Sequence, residues 1–100
     1  MTVITLAQAE LEFESAIAYY EAREPGLGEQ FRNEVASSIQ WIVANPEVLR
    51  LRRGGYRRFN LHRFPHYVAY VQRGDVLWIV AIAHAHRRPG YWQDRLGRPK

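Results

Sequence analysis

Nine residues near the end of the chain gather side chains of several reactive types. His84-Ala85-His86-Arg87-Arg88-Pro89-Gly90-Tyr91-Trp92 follows directly on the apolar run Val76 to Ala83. Two imidazoles, two guanidiniums, a phenol and an indole suit binding of phosphates and bases, or proton transfer on them, better than core packing. Histidine titrates nearest neutrality. His84 and His86 flanked by Arg87 and Arg88 have the makings of an acid and a phosphate clamp for RNA cleavage by its own 2′-hydroxyl. The plainer reading is that His84 caps the strand end by bonding a backbone carbonyl. For Tyr91 and Trp92 the alternatives are stacking on a base or folding back over the sheet, and for Trp92 the second is favoured. His62 is expected to approach the histidine pair from a neighbouring strand, but no acid lies close in sequence to complete a metal site, so neither metal nor cofactor is expected.

The elements that position this cluster follow from periodicity. Thr2 to Thr5 is β-branched and reads as a first or edge strand. Thr5 and Gln8 have capping-box spacing and open a helix. Its apolar face is Leu6, Ala9, Phe13, Ile17 and Tyr20, at intervals of three and four. Pro25-Gly26 breaks it at Glu24. A second helix runs from about Gly28 to Ala44 with the face Leu27, Phe31, Val35, Ile39 and Ile42, ended by Asn45-Pro46. Residues 47–55 read as a loop with room for a short strand. Tyr56 to Phe64 alternates, with Phe59 and Leu61 on one face and Arg58, Asn60 and His62 on the other. Tyr67 to Val71 and Val76 to Ala83 read as central strands joined by the turn Arg73-Gly74-Asp75. Residues 1–100 thus form a single α+β domain. An N-terminal strand and an αα-hairpin precede an antiparallel three- to four-stranded sheet, with the helices on one face. The opposite face needs a cover or a partner.

The charge is divided along the chain. Residues 1–46 hold seven acids and two bases; residues 47–100 hold three acids and twelve bases, eleven of them arginine. An arginine-rich half indicates an anionic partner, nucleic acid or acidic protein. Arg57 and Arg63 share strand parity while Arg58 lies opposite, so convergence on one surface needs a twist or bulge; Arg52 and Arg53 join the patch from the preceding loop. There is no cysteine, and the longest apolar run is too short to span a bilayer. Glu10, Glu12 and Glu14 interrupt the N-terminus before a signal-peptide core forms, so a cytoplasmic protein without membrane contact is expected. No phosphate-binding glycine loop, serine or cysteine nucleophile motif, or carboxylate pair in the basic half is present, which disfavours the hydrolase and nucleotide-binding classes.

Several segments together resemble the RelE/ParE superfamily of type II toxin–antitoxin toxins, of the kind often labelled plasmid stabilisation protein. They are Ala9-Glu10-Leu11-Glu12 with Tyr19-Tyr20-Glu21, Pro25-Gly26-Leu27-Gly28 with Phe31, Asn45-Pro46, Tyr56-Arg57-Arg58, Arg63-Phe64-Pro65-His66-Tyr67 with Tyr70, and Val80-Ala81-Ile82-Ala83-His84 with Arg87-Arg88-Pro89-Gly90-Tyr91-Trp92. The resemblance implies a compact toxin that arrests bacterial growth. It also implies a cognate antitoxin with an acidic, partly disordered segment laid across the toxin in a hetero-oligomer. ParE-like members poison DNA gyrase and are not nucleases; RelE-like members cut messenger RNA on the ribosome. The long hairpin with its Pro-Gly-Leu-Gly link is more similar to the ParE side. In the nuclease case the catalytic set is His84, Arg87 and Tyr91. Residues expected to meet target or antitoxin are Arg57, Arg58, Arg63, His86, Arg88 and Trp92. An inactive relative kept as a protein-binding module is the third reading.

Overall fold

The computed structural model describes residues 1–88 and 90–97. The elements are β1 (Thr2–Thr5), α1 (Ala7–Arg23), α2 (Leu27–Ala44), β2 (Arg57–Asn60), β3 (His66–Arg73) and β4 (Val76–His84), followed by a 3₁₀ turn at Gln93–Arg95. The sheet order is β1-β4-β3-β2. β2, β3 and β4 pair antiparallel. β1 lies parallel to β4, Thr2 opposite Val76 and Thr5 opposite Ile79, so the sheet is mixed. A parallel neighbour needs a crossover, and the αα-hairpin begins it.

The expected capping box does not form. Thr5 is the last residue of β1, Leu6 takes the N-cap position of α1, and no side chain caps it. The cap at the next helix comes from the other member of the hairpin. The Glu21 carboxylate accepts hydrogen bonds from the Gly26 N–H (3.0 Å) and the Gly28 N–H (3.0 Å). A carboxylate there satisfies free amides and meets the positive end of α2. Gly28 also lets the helices approach: a Cβ there would stand 2.7 Å from the Ile17 carbonyl oxygen.

The sheet is buried on both faces. Phe31, Val35 and Ile42 of α2 and Ala9 and Tyr20 of α1 pack on Val68, Tyr70, Leu77, Ile79 and Ile82. On the opposite face Tyr67, Ala69, Val71, Val80, Ala81 and Ala83 meet Trp92, with Tyr56, Tyr91 and Leu96 beside them. The chain's own C-terminal segment is the cover that face required. A β-bulge sets the phase of the last strand. The β3–β4 register shifts between Ala69 and Tyr70, leaving Val80 unopposed, so Val80 and Ala81 both face the second core. Beyond the bulge, Ile82 and His84 face the helices.

Candidate functional site

Register brings two histidines together. His66 opens β3 and sits directly opposite His84 at the end of β4. Their ring centroids lie 4.9 Å apart, and His86 follows at 5.0 Å from His84. The third imidazole is therefore His66, not His62. His62 instead packs near Phe59 and gives its backbone N–H to Glu34 of α2. Among the described residues, no group of three or more His, Cys, Asp or Glu is arranged to hold a metal ion.

The His84 ring bonds the backbone, but through an N–H rather than the expected carbonyl. Its Nδ1 accepts from the His86 N–H at 3.0 Å. A neutral His84 must then carry its proton on Nε2. His66 is buried between Phe31, Tyr20 and His84, and the Tyr20 hydroxyl lies 3.5 Å from its Nδ1. Burial, then the neighbouring His84, push the His66 imidazole from its ordinary 6.5 down to about 4, against a smaller opposing pull from Glu12. Between those two values the unfolded chain binds the proton and the folded chain does not. Stability is therefore fully present above about pH 6.5 and is lost as pH falls toward 4, by on the order of 1–3 kcal/mol. Urea unfolding of wild type and His66→Phe between pH 4 and pH 7.5 should show a steeper acid loss in the wild type. Equal slopes would remove this role for His66.

Arg87 lies with its guanidinium 3.8 Å from the centroid of the Tyr91 ring. The Tyr91 hydroxyl donates to Glu12 Oε2 at 2.6 Å. Burial above all, then the hydrogen bond to Glu12 and that carboxylate's charge, hold the Tyr91 hydroxyl well above its ordinary range, with Arg87 and Arg95 opposing. Glu12 is the hub of this corner. Arg95 gives it two hydrogen bonds, Nη1 to Oε1 at 3.2 Å and Nη2 to Oε2 at 3.0 Å, and the Ile82 N–H gives a third at 3.0 Å. The local reason is the shortness of β1. Its pairing stops at Ile79, so the outer edge of β4 beyond that point lacks a strand partner. Glu12 takes the Ile82 N–H, and Arg95 donates to the Val80 carbonyl at 3.0 Å.

The remaining expected site residues do not share one surface. Arg57 faces the helix side and donates Nε to the Leu49 carbonyl at 2.8 Å. Arg58 faces the other way, its guanidinium 3.9 Å from the Tyr67 ring centroid. Arg63 pairs with Glu34 of α2 at 3.4 Å. The β2–β3 register runs without a break from Arg57 to Asn60, so parity keeps Arg57 and Arg58 apart. His86, Arg87 and Arg88 are exposed on the turn after β4. Trp92 is corrected from a contact residue to a core residue: it is 1% exposed and donates Nε1 to the Tyr67 hydroxyl at 2.9 Å. Pro89, in the same segment, lies outside the described residues, as do Arg98, Pro99 and Lys100. The sequence reading missed Glu12, Arg95 and His66. Glu12 borders the apolar stripe of α1 between Ala9 and Phe13, and that was the one available signal.

Comparison with known proteins places the chain. The family model of the ParE toxin of the type II toxin–antitoxin system, parDE, matches residues 3–89. A solved structure described as the chromosomal ParDE TA system from P. aeruginosa superposes with a TM-score of 0.74 at 18% identity, covering 86% of this chain and 97% of that one. At that identity the likeness is one of fold. Comparison with the curated proteins gave no match. The family match extends from β1 through the turn after β4, so the chain belongs to the ParE toxin family of type II toxin–antitoxin systems.

Proposed function

We propose that this chain is a growth-arresting toxin that acts by contact on DNA gyrase, without nuclease chemistry, and that a cognate antitoxin neutralises it in the cytoplasm. One observation carries the choice of target. The three side chains a nuclease would draw on each already have a partner within the chain. The His84 Nδ1 accepts a backbone N–H, the Tyr91 hydroxyl donates to Glu12, and Arg87 lies over the Tyr91 ring. An acid–base pair needs a free acceptor and a donor that releases its proton near neutrality. Support for an antitoxin seat is a groove of about 660 Å³ beside α2, lined by Trp41 and Phe59 and by the paired Glu34 and Arg63. An amphipathic segment fits a groove that joins apolar rings to charged groups. Among the described residues, no helix is long and apolar enough to cross a membrane.

Controlled induction in a bacterial host tests this reading, with plasmid topology read on gels and RNA ends read by sequencing. Loss of supercoiling with uncut messages is the expected result. Cleavage within translated codons, abolished by His84→Ala or Arg87→Ala, would establish the ribosome-dependent endoribonuclease instead. Absence of growth arrest at any expression level would identify an inactive protein-binding relative.

A further inference from the structure

Four arginines away from the histidine corner are held on one continuous surface. Arg50, Arg52 and Arg58 line a cleft of about 320 Å³ with Asn60 and His62. Arg50 and Arg52 also line an adjoining cleft of about 390 Å³, together with Arg53. Among the described residues, the arginine ion pairs engage Arg32, Arg63 and Arg95, and none engages these four. Arg58 lies on β2, and the loop that carries the other three is built rather than slack. Arg52 donates its N–H to the Tyr56 carbonyl at 2.7 Å, and the Gly55 N–H returns to the Arg52 carbonyl at 2.9 Å. Gly54 and Gly55 take φ of 99° and 85°, the left-handed region this tight turn requires. Arg57 pins the start of the loop through the Leu49 carbonyl. Like charges gathered on an ordered turn without a carboxylate gain only when an anion arrives.

We infer that the Arg50–Arg52–Arg53–Arg58 surface binds the phosphate backbone of duplex DNA. The polar side chains lining the two clefts are arginine, asparagine, histidine, tyrosine and glutamine, and no carboxylate lines either. Such a donor-rich lining matches phosphate oxygens, which only accept. A peptide segment brings backbone N–H groups that need acceptors of their own. The Asn60 Oδ1, one of the few acceptors, is already taken by Arg58 Nε at 3.1 Å. The aromatic rings argue for duplex over single strand. Tyr56 stands edge-on to Trp92 at 4.6 Å, and Phe59 packs on Trp41 at 5.3 Å. Both rings are engaged, which leaves only the His62 imidazole to meet unstacked bases. Backbone contacts of this kind hold a duplex without reading its sequence.

The inference stands apart from the gyrase reading, because the test holds only DNA and the full-length toxin freed of antitoxin. Fluorescence anisotropy with a labelled mixed-sequence duplex of about 20 base pairs, at about 50 to 200 mM salt, reads affinity against ionic strength. Four phosphate contacts predict a log–log slope of about −3 to −4. The double variant Arg50→Ala/Arg53→Ala should flatten it by about 2, while Arg50→Lys/Arg53→Lys retains it. Arg63→Ala, whose arginine is paired to Glu34, should leave it unchanged. The inference is overturned if the duplex does not bind at the lowest salt, or if the alanine pair keeps the wild-type slope. It is equally overturned if polyglutamate or a single-stranded oligonucleotide binds as tightly as the duplex.

Discussion

Glu12→Ala is expected to destabilise the protein by about 3–5 kcal/mol, a large share of the roughly 5–15 kcal/mol that holds a domain of this kind folded. The carboxylate side chain is 16% exposed and Arg95 is 15% exposed, so neither has water enough to replace the other. Removing Glu12 leaves the Arg95 charge half-buried, the Ile82 N–H without its acceptor and the Tyr91 hydroxyl without its partner. Each such loss carries a desolvation penalty as well as a lost bond. Urea unfolding checks the size. Glu12→Gln keeps the shape and one acceptor, so it should fall between wild type and alanine. In a double-mutant cycle, Glu12→Ala with Arg95→Ala should cost less than the two single changes added together, because the stranded charge is then gone. A loss under about 1 kcal/mol for Glu12→Ala would reduce the pair to a surface ion pair.

That same carboxylate marks the boundary of what can be read from one sequence. The helices are legible because Ala9, Phe13, Ile17 and Tyr20, and then Phe31, Val35 and Ile42, recur at helical spacing and do form one core. Pro25-Gly26 and Asn45-Pro46 break the chain where α1 and α2 end. The two apolar runs around Arg73-Gly74-Asp75 are β3 and β4. Each of these signals is local. Apart from the capping box at Thr5 and Gln8, the failures are long-range. The role of Glu12 depends on where β1 stops along β4, which no periodicity records. His66 displaces His62 because cross-strand register sets it against His84, and the bulge at Val80 turns His84 toward the helices. The basic half reads as a demand for an anion, yet parity within β2 divides Arg57 from Arg58, and α2 supplies Glu34 to Arg63. Composition counts charges; only the fold decides which of them an internal carboxylate or carbonyl has already taken.

Trp92→Ala should lower stability by about 3–5 kcal/mol, the range for removing a large aromatic side chain from a core. At 1% exposure the indole is the centre of the second core, with Tyr56 edge-on at 4.6 Å and its Nε1–H on the Tyr67 hydroxyl. The cavity left would sit under the C-terminal segment that packs over Val80, Ala81 and Ala83 on that face. Trp92→Phe keeps most of the apolar area and loses the hydrogen bond, so a smaller loss of about 1–3 kcal/mol is expected, including the stranded Tyr67 hydroxyl. Hydrogen exchange places the effect: amides of residues 90–97 should lose protection first in the alanine variant, because the segment's deepest anchor is gone. Antitoxin binding separates this account from an interface role. If Trp92 acts only inside the fold, affinity measured well below the variant's melting temperature matches wild type. If it touched the antitoxin, Trp92→Ala would fold with near-native stability and bind weakly.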